Sequence, residues 1–494
     1  MGWSALDVIS MQFSFGYILH KVRFPVHPLF FSGLSSDSLA INSDLIRRFG
    51  GHYSDYRLYP GTDYFVEAFD AHTYSSWLGN RKSGHFRRPL SLYVHIPFCT
   101  SLCFYCHFNQ IIPDDDDIKI YLDYLVREIR LQGQFLKDDP KVEQLYFGGG
   151  TPTLLSATQL SDIMKEIRQN FNLVEEGEYC IEIDSRQITH VSLQSLKEMG
   201  FNCAIIGVQD FDHQVQQSIQ RLQTEDTTLC AIRNAQHAGF KTVRIELIYG
   251  LPKQTVKKFE YTLGRIISAC PNQINLLNYL HLPEKFKPQR NINQEDLPDT
   301  ETRLEMLLFA IARLADAGYS HIGMNLFAKR DDQLIIAQRQ GGLHYGLQGY
   351  SVHPDGDRIA LGISGIGCIG PTFNQNHYDL LQYYDRLERN MLPILRGIEL
   401  SADDLIRRSV MQALICHSVL SFESVEIYFP IEFKHYFATE LTELLLYEQA
   451  GLITLDDDEI IVTAMGQLLL SSICRVFDKY LRANQQRRNN SMLL

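Results

Sequence analysis

The period of hydrophobic and polar positions changes several times along the 494-residue chain. Between Ser91 and about Gly250, short β-branched and aromatic runs alternate with longer stretches whose apolar residues recur every three or four positions. The runs at 92–96, 144–147, 179–183, 204–208 and 243–248 predict strands, and 273–280 predicts a sixth. The amphipathic stretches 118–136, 156–169, 191–198, 224–238 and 255–269 predict the helices between them. Strand and helix alternating at this spacing imply an α/β fold with a parallel sheet, curved or barrel-like. In such folds ligands bind beyond the carboxyl ends of the strands.

Downstream the texture changes. A polar, proline-containing connection at 283–298 leads to a helix at 301–317, stopped by Gly318. After Gln375 the pattern is mainly helical (377–389 and 402–420). A hairpin follows at 453–461 around Asp456–Asp458, then a final helix at 464–483. A smaller helical C-terminal domain is therefore expected from residue 395, after an extension (1–40), a lead-in segment (41–90) and a barrel domain (91–394). The aromatic residues of 1–35 are interrupted by His20, Lys21 and Arg23. No apolar run there approaches the ~20 residues of a membrane span, and a poorly ordered extension is expected.

Composition narrows the function. A hydrophobic content of 45% with 21% charged residues is that of a soluble globular chain, and the net charge of -12 argues against general nucleic-acid binding. Three of the ten cysteines share one loop. The other seven (Cys180, Cys203, Cys230, Cys270, Cys368, Cys416 and Cys474) stand singly and are expected to be small buried apolar residues. No disulfide framework is implied, which suits a reducing cytoplasm.

The loop after the first strand holds Cys99, Cys103 and Cys106, spaced Cys-x3-Cys-x2-Cys. Clusters that only carry electrons normally take four cysteines. Three thiolates leave one iron of a four-iron cube open to a substrate or cofactor. A zinc knuckle is the competing reading, but it needs a fourth ligand, and His107 is too close in sequence to supply it comfortably. The second strand ends in Phe147-Gly-Gly-Gly-Thr-Pro-Thr153, a turn that lets backbone approach a small molecule and frees N–H groups for an anion. Glu182, Gln209 and Glu246 end the next three strands, and Arg221, suited to a carboxylate, follows Gln209. Taken singly, Glu182 reads as a solvated strand-end charge, and Arg221 and Glu246 as structural ion pairs.

Together these phrases resemble the radical S-adenosylmethionine (SAM) enzymes and, among them, the oxygen-independent coproporphyrinogen III oxidase family. The resemblance runs from about Ser43 to the end. It includes Tyr93-Val-His-Ile-Pro-Phe-Cys99, Gly207-Val-Gln-Asp-Phe211, Leu247-Ile-Tyr-Gly-Leu-Pro252, Asn278-Tyr-Leu-His-Leu-Pro283 and Arg407-Arg408. It implies a partial (β/α)6 TIM-like barrel with a mainly helical C-terminal domain. It also implies a [4Fe-4S] cluster held by the three cysteines and by SAM. The reaction implied is oxidative decarboxylation of a porphyrinogen propionate in haem biosynthesis, in the cytoplasm. Carried over by motif, Tyr93, Tyr105, Gly149, Gly150, Thr151, Glu182, Gln209, Arg221 and Glu246 would line the SAM site. Leu280 and Ile366 would stand where the family contacts this cofactor or a second SAM. A tetrapyrrole substrate, a reduced flavodoxin- or ferredoxin-type electron donor and a monomeric chain are expected, with no nucleic-acid or membrane partner.

Four departures stand against the family pattern. The loop continues Cys106-His107-Phe108-Asn109 where the family has Cys-Gly-Cys-Asn. Gly323-Met-Asn325-Leu326-Phe327 lacks the family's Asp-His pair, Glu246 replaces an aspartate, and Tyr345 stands in place of an arginine. Burying a tetracarboxylate without cationic or hydrogen-bonding partners costs several kcal/mol. The alternatives are therefore a diverged paralogue acting on another tetrapyrrole, or a haem-binding chaperone without oxidase activity.

Overall fold

The computed structural model describes residues 43–50, 54–81, 88–107, 110–136, 141–188 and 190–484. The expected extension over 1–40, together with Phe108 and Asn109, lies outside the described residues. Six strands, β1 (Leu90–Ile96), β2 (Val142–Gly149), β3 (Leu173–Ile183), β4 (Cys203–Gln209), β5 (Thr242–Tyr249) and β6 (Gln273–Asn278), pair in parallel in chain order. β4 is buried along almost its whole length, as a strand covered on both faces should be. The crossover helices start at side-chain caps: Asp114, Ser156, Thr224 and Thr255 each accept from the backbone N–H three residues on.

The sheet extends beyond the expected six. β7 (Tyr319–Gly323) and β8 (Leu326–Lys329) form a hairpin whose second strand lies antiparallel to β6. After the small hairpin of β9 (His344–Gly346) and β10 (Gly349–Ser351), β11 (Asp357–Leu361) pairs in parallel with the far side of β1. It makes a seventh parallel strand. β12 (Ile366–Ile369), β13 (Thr372–Asn376) and β14 (Ile394–Glu399) continue antiparallel from it, giving twelve strands in all. The large sheet thus runs past residue 395, and the helical region opens with the helix Ala402–His417.

In that region β15 (Val419–Ser421), β16 (Ile453–Leu455) and β17 (Glu459–Val462) form a three-stranded sheet, with the expected hairpin as β16 and β17. The single final helix expected at 464–483 is instead broken into Ala464–Gln467, Leu470–Arg475 and a further helical stretch from Lys479. Two large apolar cores form among the described residues, beside two small clusters. One lies between the large sheet and its helices. The other joins the C-terminal region to the lead-in residues Phe49, Tyr56, Tyr59 and Phe65. All ten cysteines are free, but Cys230 and Cys270 are exposed, against the expectation that every single cysteine is buried. Among the described residues no helix is long and apolar enough to cross a membrane.

Candidate active site

A cavity of about 790 Å3 opens at the carboxyl ends of the parallel strands and runs down into the barrel. Residues i and i+2 of a strand share a face, so the strands present alternate residues to the cavity: Tyr146 from β2, Glu182 from β3, Ile205, Gly207 and Gln209 from β4, Arg244, Glu246 and Ile248 from β5.

Cys99, Cys103 and Cys106 all line its rim. The loop is pinned at both ends. Cys99 N–H donates to the Ile111 carbonyl at 2.9 Å, and Phe104 N–H donates to the Ile219 carbonyl at 2.9 Å. Thr151 Oγ1 lies 3.8 Å from Cys99 Sγ, and Arg221 places a guanidinium nitrogen 3.9 Å from Cys103 Sγ. Burial pushes the Cys99 thiol up to about 11, so the thiol is protonated until a metal takes it.

The metal-ligating atoms of the described residues that gather within 4.8 Å of one another are those of Glu178, Cys180 and Cys203, not the three loop thiols. A single zinc ion draws its sulfurs to about 4 Å apart. The wider loop triangle therefore suits a cube rather than a zinc knuckle. His107 stacks on Phe286, with ring centroids 4.6 Å apart. At the Glu178 group the Arg244 charge lies beside both thiols and opposes a second cation.

The glycine turn is built by close contact. Gly149 has φ of 108°, and a Cβ there would meet His95 Cε1 at 2.5 Å; at Gly150 it would meet the Phe98 carbonyl at 2.6 Å. Its N–H groups are not free for an anion, contrary to the sequence expectation. Gly150 donates to the Ile96 carbonyl and Thr151 to the Phe98 carbonyl, each at 2.7 Å, and Gly149 donates to Glu182 at 3.2 Å. What this turn offers is Glu182, which also accepts from the Tyr146 hydroxyl at 2.7 Å. Such a turn suits a cationic group, an ammonium, better than an anion.

Glu182 is no solvated strand-end charge. Desolvation, reinforced by the neighbouring Glu246 carboxylate, pushes its carboxyl up to about 8, and burial also raises Glu246. Its accessible surface faces the cavity. Arg221 is 8% exposed and donates to the Gly207 carbonyl at 3.0 Å, while sharing Asp184 with Arg186. Gln209, itself in the left-handed region, donates to the Tyr105 hydroxyl at 2.8 Å and leaves its Oε1 without a partner.

Of the eleven cofactor positions expected from sequence, the cavity brings together Tyr105, Gly149, Gly150, Thr151, Glu182, Gln209, Arg221, Glu246 and Leu280. It does not bring Tyr93 or Ile366. Tyr93 stands behind the wall, bonded to His95 Nδ1 at 2.9 Å beneath the Arg358 guanidinium. Ile366 lies on β12 against the C-terminal core, because β11 and β12 turn away from the barrel axis. Ser54, Asp55, Arg57, Arg244 and Lys285 also line the cavity and were missed. Only Arg244 carried a signal in sequence, two residues before Glu246 on one strand. Asn325, Leu326 and Tyr345, three of the departures, also line the cavity, as do Gln348 and Tyr350.

Comparison with known proteins agrees with this geometry. The family model of the radical SAM superfamily matches residues 93–266, and that of the HemN C-terminal domain matches 400–469. The chain is 43% identical over 456 residues to the oxygen-independent coproporphyrinogen III oxidase of Pseudomonas aeruginosa, covering 91% of this chain and 98% of the relative. It is 40% identical to that of Escherichia coli K12, covering 89% and 95%. The solved structure of coproporphyrinogen III oxidase (HemN) from Escherichia coli, described as a radical SAM enzyme, superposes with a TM-score of 0.83 at 39% identity, covering 89% of this chain and 99% of that one.

Proposed function

The chain belongs to the oxygen-independent coproporphyrinogen III oxidase family, and from that premise we propose that its central cavity carries out the oxidative decarboxylation of coproporphyrinogen III to protoporphyrinogen IX. The protein is a radical SAM oxidoreductase of haem biosynthesis whose cofactors are a [4Fe-4S] cluster and SAM. The observation that carries the reading is one cavity lined by the three loop cysteines, the glycine turn and the Glu182–Gln209–Arg221–Glu246 set.

When bound, the cluster and SAM supply hydrogen-atom abstraction from the β-carbon of a propionate, after which carbon dioxide and one electron leave and a vinyl group remains. The residues do the rest. Cys99, Cys103 and Cys106 are assigned to three irons, with the Arg221 guanidinium beside Cys103. Glu182, held by Tyr146 and Gly149, is assigned to an ammonium, and its proton leaves when that cation arrives. The open Oε1 of Gln209 accepts from whatever donor stands at the mouth of β4. Arg221 answers a carboxylate. Leu280 and Phe286 give the cavity an apolar edge.

The proposal extends to a reduced flavodoxin- or ferredoxin-type donor, because the cluster needs single electrons, and to a monomer in a reducing cytoplasm, which the ten free cysteines support. In domain terms we assign 41–90 as a lead-in, a barrel from Ser91 to Glu399, and a helical domain beyond it. Singly replacing Cys99, Cys103 or Cys106 by serine tests the site. Each variant should lose the cluster's visible absorbance after anaerobic reconstitution, and with it vinyl formation from coproporphyrinogen III. Turnover at wild-type rate in any of them would contradict the assignment.

A further inference from the structure

A tetracarboxylate brings several negative charges into the barrel, so every cation facing the cavity has to be accounted for. Five basic side chains of the described residues line it. Four are already paired: Arg57 with Asp55, Arg186 and Arg221 with Asp184, and Lys285 with Asp63. Arg244 is the exception. No carboxylate of the described residues forms an ion pair with it, although it is only 8% exposed; Glu178 and Glu246 act on its charge from farther off. Arg358, also deep in the fold, differs in facing a separate small hollow with its charge over the Tyr93 ring, 4.6 Å from the centroid.

Arg244 is held for a purpose. Its Nε donates to Gln273 Oε1 at 2.8 Å. The Gln273 amide is fixed in turn, because its Nε2 donates to both oxygens of Asp332 at 3.1 and 3.0 Å. Asp332 is anchored as the cap of the helix Gln333–Arg339, accepting from Leu334 N–H at 2.9 Å. This chain of bonds uses up Nε and leaves the two terminal nitrogens, which have no acceptor among the described residues, facing the cavity. The fork is the half of the guanidinium that matches a carboxylate in two parallel hydrogen bonds. Arg244 lies two residues before Glu246 on β5, about 6–7 Å deeper than the assigned cofactor groups. The lining residues Asn325, Leu326, Tyr345, Gln348 and Tyr350 supply no cation.

We infer that Arg244 is the deep carboxylate site of this cavity, binding one propionate of the tetrapyrrole through its terminal guanidinium nitrogens, with Gln273 and Asp332 as positioning residues. This rests on the proposed tetrapyrrole substrate. An incoming carboxylate would give the two terminal nitrogens the acceptors they lack among the described residues.

The test uses the full-length protein under anaerobic conditions and the stable porphyrin coproporphyrin III, its binding followed by fluorescence, with the tetramethyl ester as the uncharged control. Arg244→Met should weaken coproporphyrin binding by roughly 30-fold or more, raise KM far more than it lowers kcat, and remove the preference for the acid over the ester. Arg244→Lys should recover part of the affinity. Gln273→Leu, which keeps the cation and frees its orientation, should give a smaller loss, and it carries the test if Arg244→Met does not fold. Unchanged coproporphyrin affinity in Arg244→Met, or in Gln273→Leu where that variant stands in, overturns the assignment. A wild-type protein that binds neither porphyrin and converts no coproporphyrinogen overturns the substrate reading itself, and this site with it.

Discussion

Glu182 ties stability to pH through a single side chain. Its folded carboxyl is raised to about 8 by desolvation and by Glu246, well above the ordinary value of 4.5. Between those two values the folded state holds a proton that the unfolded state has lost, so stability falls as pH rises through the window. Replacing Glu182 by glutamine removes that dependence. The variant should gain more thermal stability over wild type at pH 8 than at pH 5.5, in calorimetry without SAM, while its SAM affinity falls. Equal gains at both pH values would show that cavity water already solvates the carboxylate. At the turn, Gly149→Ala forces a side chain into φ of 108° and against His95. A loss of about 2 kcal/mol is expected in denaturant unfolding. At this scale the cysteine loop and glycine turn were legible because each is contiguous in sequence. Arg57 and Lys285 were not, since their place on the cavity follows from which segments meet.

Among the elements, the strands and helices from β1 to β6 were readable because each βα unit carries its own period and cap. β11 was not. It is five buried residues with no helix leading into it, and it becomes a strand by lying against β1. Glu128, in the helix Asp115–Phe135, fixes the end of β11. Its carboxyl accepts from Gly362 N–H at 2.7 Å, Asn376 Nδ2 at 2.8 Å and the Tyr383 hydroxyl at 2.6 Å. Burial raises it to about 7. Glu128→Ala orphans the buried Gly362 N–H and Tyr383 hydroxyl, while Asn376 Nδ2 keeps the Gly362 carbonyl, and should cost about 3 kcal/mol in urea unfolding. Glu128→Gln should cost less, because the amide oxygen still accepts. A final helix over 464–483 was misread because its apolar period continues across the break between Gln467 and Leu470.

Across the whole molecule, the lead-in segment is built into the C-terminal domain and delivered to the cavity by it. Ser471 Oγ accepts from Ser54 N–H at 2.9 Å, and the Ser472 hydroxyl donates to the Phe49 carbonyl. Tyr59 and Tyr64 pack on Tyr480. The Tyr345 hydroxyl then donates to the Asp55 carbonyl at 2.6 Å, holding the segment over the cavity wall. Tyr345→Phe should raise KM for the porphyrinogen while costing only about 1 kcal/mol of stability. An unchanged KM would separate this strap from substrate binding. The departures at Asn325, Leu326 and Tyr345 lie on this substrate wall, so the central claim is tested by product rather than by cofactor. The decisive measurement is anaerobic turnover of coproporphyrinogen III by the reconstituted protein with SAM and a low-potential reductant, with tetrapyrroles and 5′-deoxyadenosine quantified together by mass spectrometry. The account predicts protoporphyrinogen IX, formed with one 5′-deoxyadenosine for each propionate lost; 5′-deoxyadenosine accumulating beside unaltered coproporphyrinogen would contradict it.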